Sequence, residues 1–307
     1  PTGSPLTGAP ALFNGLAGAV TTRAYTGDAD GTLWRVDFTS RDPAQWWMGI
    51  AYDLFWDKAY NEGQPIVERP AVTIDTRNRA VIAFGSGDPE LLDNLDENRV
   101  ASVTETSTDT LGNPLGEIRV EDVWEMRNGS MPVDQHFYPG ERLTGGMTLF
   151  NNVLYFGTFV PRSSTDACEI GYARLWGVDM NRAESAYPFV PVAKLDLDGN
   201  PATTTDIVRA TRDLNFNGSA ADDGNTLLFG VTVARRASCN VTAPSFAPIS
   251  RTTRTFVQSS TGGDYRIVLQ TGRPGTSGGG SGANTSWRRV PRPVMPARVD
   301  SWATVFE

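Results

Sequence analysis

The feature that most constrains the fold is a strand-like segment, ending in an aromatic residue and a glycine, that recurs along the chain. It appears as AVIAFG, NVLYFG and TLLFG, with the aromatic residues at Phe84, Phe156 and Phe229. The first two are 72 residues apart and the last two are 73 apart. Repeats built from a few strands each are typical of β-propeller blades, whose usual period is about 40 to 50 residues. The longer period here predicts four-stranded blades with inserted loops.

The rest of the chain also favours β-structure. A second element recurs as LWRVD at 33–37 and LWGVD at 175–179. Short alternating segments are separated by Gly, Pro, Asn and Asp, a pattern typical of strands and turns. One segment, Ala44–Tyr60, has apolar spacing that predicts a helix. We therefore expect an all-β, propeller-like protein with one helical insertion.

The chain length sets the expected domain organisation. The 307 residues hold about four to five repeats, fewer than many closed propellers contain. This predicts an incomplete propeller or the C-terminal part of a larger one. Residues 1–20 are interpreted as a linker or the end of a preceding blade, and 21–307 as the propeller domain. The stretch 271–286, TGRPGTSGGGSGANTS, has the composition of a flexible loop.

Charge and hydrophobicity exclude two classes of partner. The formal net charge is −8, and no block of Lys or Arg longer than Arg288–Arg289 stands out, which argues against nucleic-acid binding. No apolar run approaches the roughly 20 residues that a membrane-spanning helix needs. The sequence therefore predicts neither a nucleic-acid partner nor a membrane span.

One acidic loop has the pattern of a calcium site. In DLNFNG at 213–218, oxygen-bearing side chains occupy positions 1, 3 and 5, and glycine occupies position 6. The predicted ligands are Asp213, Asn215, Asn217 and Asp222. The usual bidentate acid at position 12 is replaced by Gly224, so an ordinary Asn/Asp-rich turn is the competing interpretation. Asp28 and Asp30 in GDADG are assigned to a hairpin turn.

The two cysteines predict a disulfide. Cys168 and Cys239 follow repeated strands by similar intervals, and equivalent loops of adjacent blades emerge on the same side. A bond between them would fit an oxidising compartment, whereas two unrelated free thiols would fit the cytosol.

Other residues give weaker signals. The single histidine, His136, has no metal partner or nucleophile near it in sequence, and we interpret it as a structural or surface residue. No phosphate loop, nucleophile elbow or metalloprotease motif occurs, so we expect a non-enzymatic protein. The aromatic stretch from Trp46 and Trp47 to Trp56 is expected to pack against a blade more readily than to form a binding patch.

Three long segments carry a family resemblance: AYTGDADGTLWRVDF at 24–38, RPAVTIDTRNRAVIAFGSGDPELLD at 69–93, and PGERLTGGMTLFNNVLYFGTFVPRSSTDACEIGYARLWGVDM at 139–180. Together they resemble the C-terminal propeller of the PilY family of type IV pilus biogenesis and tip adhesin proteins. The similarity extends to DLNFNG at 213–218 and to RVDSWATVF at 298–306. It follows the same order over most of the chain.

The resemblance implies an exported protein at the cell surface or pilus tip that acts with minor pilins and promotes adhesion to a host or abiotic surface. It also implies calcium binding. The family's Asp-rich loop would fall at 14–23, where this chain has no acid. Calcium is therefore carried over only to Asp213, Asn215, Asn217 and Asp222.

Two alternatives stay open. A secreted surface propeller would bind a glycan or host protein through exposed loops and the Trp46–Trp56 stretch. A quinoprotein-like dehydrogenase is suggested by GDADGTLWRVD, which also resembles blades of that class, although no cofactor clamp or catalytic acid is evident.

Overall fold

A computed structural model describes fourteen stretches of the chain, and the account below concerns them. These are residues 3–14, 20–59, 62–75, 77–91, 93–107, 118–128, 137–150, 153–162, 171–180, 210–212, 214, 226–235, 265–272 and 284–289.

The described residues form four antiparallel sheets in chain order, which confirms the all-β, propeller-like prediction. The first sheet contains β1 (Ala11–Phe13), β2 (Arg23–Gly27), β3 (Thr32–Asp37) and β4 (Trp47–Asp53). The second contains β5 (Ala71–Ile74), β6 (Ala80–Gly85), β7 (Val100–Glu105) and β8 (Val120–Met126). The third contains β9 (Arg142–Phe150), β10 (Val153–Pro161), β11 (Gly171–Asp179) and β12 (Ala210–Thr211). The fourth contains β13 (Leu227–Arg235), β14 (Tyr265–Gly272) and β15 (Asn284–Arg289).

Each sheet is a meander in which neighbouring strands of the sequence pair with each other. The first strands of successive sheets also contact one another: β1 contacts β5, β5 contacts β9, and β9 contacts β13. The sheets therefore stack as consecutive blades, with their first strands on the inner side.

Apolar side chains fill the space between consecutive blades. Phe13, Tyr25 and Leu33 of the first blade pack with Ile82 and Phe84 of the second. Similar clusters lie between the second and third blades, and between the third and fourth. Burial of these alternating faces is the main favourable term in the stability of such a stack.

Two glycines of second strands, Gly27 and Gly157, are explained by this packing. A Cβ atom added to Gly27 would lie 2.2 Å from Cβ of Ile66, and one added to Gly157 would lie 2.6 Å from Cδ2 of Leu228 in the next blade. A larger residue at either position would collide with the neighbouring segment. At Gly157, the glycine of the repeat therefore marks a close approach of the next blade.

The aromatic part of the repeat is less regular than the sequence predicts. Phe84 and Phe156 are fully buried, but Phe229 is 57% exposed. In the pairing of β13 with β14, Leu228 is opposite Thr271 and Gly230 is opposite Gln270, so Phe229 is the extra residue of a β-bulge. Because a bulge redirects the side chain that it inserts, Phe229 points away from the blade interface.

The helix predicted over Ala44–Tyr60 is wrong. A single 3-10 turn at Pro43–Gln45 is followed by the extended strand β4, which pairs with β3. The Asp42 carboxylate accepts a hydrogen bond from the Ala44 amide at 3.0 Å and ends the loop before the strand. Trp47, Ile50 and other strand-forming residues complete the sheet, so pairing with β3 outweighs the helical spacing.

The hairpin turn predicted at Asp28 and Asp30 is confirmed. Oδ1 of Asp28 accepts hydrogen bonds from the amides of Asp30 at 3.0 Å and Thr32 at 2.8 Å, between β2 and β3. Gly31 follows with φ +84, a conformation that glycine adopts without strain.

Two predicted boundaries can be located on the sheets. Strand β1 lies within residues 1–20 and pairs with β2, so the first sheet includes residues upstream of 21. At the ends of the Gly/Ser stretch 271–286, Thr271 and Gly272 belong to β14, and 284–286 belong to β15. No helix among the described residues is long and apolar enough to cross a membrane.

Candidate functional site

The residues predicted to bind calcium or form a disulfide lie outside the described part of the chain. They are Asp213, Asn215, Asn217, Asp222, Cys168 and Cys239, and His136 is outside it as well. Leu214, within the predicted calcium loop, is described and is buried against Leu228 and Ile267 between the third and fourth blades. Across the described stretches, no group of three or more His, Cys, Asp or Glu residues is placed to hold a metal ion.

A buried carboxylate, Glu105 at the end of β7, joins the first two blades. It accepts hydrogen bonds from Nη1 of Arg23 at 2.7 Å, from Nη1 of Arg35, and from the Tyr25 hydroxyl at 2.5 Å. Both arginines are fully buried. Burial, followed by the nearby Glu105 charge, raises the pKa of Tyr25, so its hydroxyl stays a donor. Oδ2 of Asp37 lies 3.2 Å from Nη2 of Arg35, so two carboxylates balance the two arginines, and the cluster presents no reactive group to solvent.

A second buried carboxylate, Glu141, has a similar role in the third blade. Its oxygens accept hydrogen bonds from Nη1 of Arg174 at 2.7 Å, the Thr158 hydroxyl at 2.6 Å and Nε1 of Trp176 at 3.1 Å. The Arg174 guanidinium also lies 4.4 Å from the Trp176 ring centroid. Glu141 therefore links the start of β9 to β10 and β11.

A third charged cluster, centred on Arg99, lies between the first two blades. Arg99 donates through Nη1 to Oδ1 of Asp57 at 2.6 Å and to the Leu54 carbonyl at 2.9 Å. Its Nε donates to Glu97 at 2.9 Å. The hydrogen bond from Arg99 lowers the pKa of Asp57. Burial raises the pKa of the adjacent Glu125. The cluster holds the loop after β4 against the second blade.

One surface pocket lies where inner strands meet. Residues of β1, β5 and β9 line a pocket of about 300 Å³, together with Arg69 and Pro70. Nearby, Oε2 of Glu68 lies 3.4 Å from the position that a Cβ of Gly146 would occupy. Burial raises the pKa of Glu68. The pocket therefore combines apolar strand residues with one cation and one adjacent, poorly solvated acid.

Another pocket, here called the Trp56 hollow, lies beside the β2–β3 turn and has a volume of about 290 Å³. Its lining includes three aromatic and three acidic side chains, which are Trp34, Phe55, Trp56, Asp28, Asp30 and Asp53. Lys58 also lines it. Nζ of Lys58 is 2.9 Å from Oε2 of Glu97, so the lysine charge is paired with that carboxylate.

The aromatic stretch singled out in the sequence does not form one surface. Trp46 is 47% exposed and precedes β4, whereas Trp56 is 70% exposed and follows it. Between them, Trp47 lies over the Arg35 guanidinium at 4.7 Å, and Tyr52 packs edge-on to Phe84 at 5.7 Å. Packing against a blade is therefore the role of the middle of this stretch, as a strand instead of a helix.

The sequence matches no protein family model and no curated protein. Among solved structures, the chain is similar to the Pseudomonas aeruginosa PilY1 C-terminal domain, with a TM-score of 0.48 and 13% identity. That match covers 93% of this chain and 61% of the other, so this chain spans less than two thirds of that structure. A europium-containing methanol dehydrogenase is similar with a TM-score of 0.30 and 14% identity, over 53% of this chain and 30% of that one. Neither similarity identifies a function.

Proposed function

We propose that this chain is a non-enzymatic module of a type IV pilus-tip protein that supports pilus assembly with minor pilins and promotes surface adhesion. The observation that carries the proposal is the ordered sequence resemblance to the PilY family. The matching segments fall on β2 and β3, on β5 and β6, and on β9 to β11, which occupy successive positions in three consecutive blades. The resemblance therefore follows the repeated framework of the domain.

The placement of the buried charges supports a binding role. Glu105 and Glu141 form salt bridges with arginines within and between blades. This use of carboxylates favours a rigid scaffold that presents loops and hollows to partners. The proposed location is extracellular, at the pilus tip.

The test is quantitative mass spectrometry of pili sheared from the native cells. We expect peptides of this chain far below major-pilin abundance and together with minor pilins. The control is a sheared preparation from a strain that lacks the major pilin, in which these peptides should be less abundant. Recovery only in membrane or secreted fractions, with none in pili, would overturn the proposal.

A secreted propeller that binds a glycan or host protein is the second candidate, and the exposed indole of Trp46 favours it. Trp46→Ala should abolish glycan-array binding with an unchanged melting temperature if this candidate is right. Trp47→Ala is a poor test, because the Trp47 ring covers the buried Arg35. A dehydrogenase would instead be revealed by quinone absorbance in the natively purified protein.

A further inference from the structure

We propose that the Trp56 hollow binds a small alkylammonium compound, with the cationic head against the indoles and the aspartates around it. This inference rests on the geometry of the hollow and is independent of the pilus role. The volume, about 290 Å³, suits a single small head group and lies at the low end of ligand pockets.

The aromatic walls are held in place by contacts outside the hollow. Nε1 of Trp34 donates to Oδ2 of Asp28 at 2.8 Å, which fixes the orientation of this indole. Phe55 is buried, with the Arg99 guanidinium 5.0 Å from its ring centroid. Trp56 is 70% exposed, so its ring is accessible to a ligand. Aromatic walls of this kind attract cations through the negative faces of their rings.

The three aspartates of the hollow differ in how many hydrogen bonds their carboxylates accept from the protein. Asp28 is 2% exposed and accepts three hydrogen bonds from the protein. Asp53 uses Oδ1 to accept the Phe55 amide at 2.9 Å. Within the described part of the chain, Oδ2 of Asp53 and both carboxylate oxygens of Asp30 have no hydrogen-bond partner. Two carboxylates are therefore left to interact with a ligand.

The charge balance favours a cation over a neutral sugar. The hollow is lined by three aspartates and one lysine, and the lysine is paired with Glu97. A sugar could stack on Trp56 and donate hydroxyls to Asp30 and Asp53, but it would leave the negative charge uncompensated. An alkylammonium group compensates this charge and uses the indole faces together.

The test is calorimetric titration of the purified chain with choline, compared with its uncharged carbon isostere 3,3-dimethylbutan-1-ol. We expect saturable binding of choline and at least about tenfold weaker binding of the isostere. Trp56→Leu and Asp53→Asn should each weaken choline binding by about tenfold. Trp46→Leu and Asp93→Asn are the matched controls and should leave it unchanged. Melting temperatures of all four variants establish that they are folded.

Three results would overturn the proposal: no saturable binding of choline, equal binding of choline and its isostere, or equal losses in the matched controls. Binding of methyl glucoside that is lost in Trp56→Leu, without choline binding, would assign the hollow to a sugar instead. Once choline binding is established, co-sedimentation with phosphatidylcholine vesicles that free choline reverses would identify a lipid head group as the source. Without co-sedimentation, the source is a free compound.

Discussion

At the residue scale, Glu105 is the buried carboxylate that joins β7 of the second blade to the arginines of the first. Two buried arginines donate to it, and their charges have no route to solvent. Glu105→Gln keeps the shape of the side chain but removes its charge. We expect it to lower the free energy of unfolding by about 3 to 5 kcal/mol, because breaking a buried ion pair leaves an uncompensated charge. Urea unfolding followed by tryptophan fluorescence measures the loss.

Two further variants test whether the loss of stability comes from the buried ion pairs or from any Glu-to-Gln substitution. The exposed Glu90 is a matched site, and Glu90→Gln should change stability by less than about 0.5 kcal/mol. Adding Asp37→Asn to Glu105→Gln should deepen the loss of stability, because Asp37, 3.2 Å from Nη2 of Arg35, is the second carboxylate that pairs with this arginine. Equal unfolding midpoints for wild type and Glu105→Gln would contradict the prediction.

At the residue scale, the sequence predicts turns better than buried charges. Asp28 is identified from GDADG alone because its hydrogen bonds are local. Arg35 and Glu105 meet across two blades, 70 residues apart, and charged residues are usually exposed. The Trp56 hollow is intermediate: its aromatic stretch is evident in the sequence, but its aspartates come partly from the β2–β3 turn.

At the scale of elements, Gly157, which ends the second repeated segment, sets how closely the fourth blade packs on the third. Gly157→Ala would place a methyl group 2.6 Å from Cδ2 of Leu228. We expect a loss of about 1 to 3 kcal/mol in the free energy of unfolding, from overpacking between the third and fourth blades. Gly146→Ala, whose nearest neighbour is 3.4 Å away, is the control and should be nearly neutral. Equal effects of the two substitutions would show that close packing is not what requires glycine at position 157.

The stabilisation that the loop after β4 provides should depend on pH, because it comes from the ionised carboxylate of Asp57. Its pKa is lowered in the folded protein by the hydrogen bond from Arg99, so the stabilisation is complete above the unfolded pKa, about 4, and is lost as pH falls through the folded pKa. Because Asp57 is partly exposed, we expect Asp57→Asn to cost only about 1 kcal/mol at neutral pH. Glu97, Glu125 and Arg127 also face this cluster.

Chemical denaturation of wild type and Asp57→Asn at pH 7 and pH 3 checks this prediction. The difference between the two proteins should shrink at pH 3. A difference that is the same at both pH values would mean that Asp57 acts through packing instead of charge.

The elements themselves were predictable where a local pattern decides them. The strands around Phe84 and Phe156 follow from alternation and repeat spacing, and both residues are buried as expected. Strand β4 was not predictable, because its apolar spacing also fits a helix and only pairing with β3 decides between them. Phe229 departs from the repeat because a bulge depends on the partner strand.

At the scale of the whole molecule, a covalent link between blades is expected from the two cysteines. Non-reducing peptide mapping of protein purified with a thiol-blocking reagent should recover Cys168 joined to Cys239. A bridge over a loop of this length stabilises by about 4 to 5 kcal/mol in the chain-entropy model, so reduction should lower the melting temperature. Recovery of both residues as free thiols from native protein would contradict the prediction.

Calcium binding is the second prediction at the scale of the whole molecule, because the predicted calcium loop contains a side chain that is buried between two blades. Leu214, flanked by the predicted ligands Asp213 and Asn215, is buried in the core between the third and fourth blades. Ions that bind only the folded state stabilise it by mass action, so calcium should raise the melting temperature relative to a chelator. Asp213→Ala should abolish that difference, whereas Glu90→Ala, at an exposed acid of the second blade, should preserve it. Equal melting temperatures of the wild-type protein in calcium and in chelator would remove calcium from the account, and the loop would then be an Asn/Asp-rich turn held to the core by Leu214.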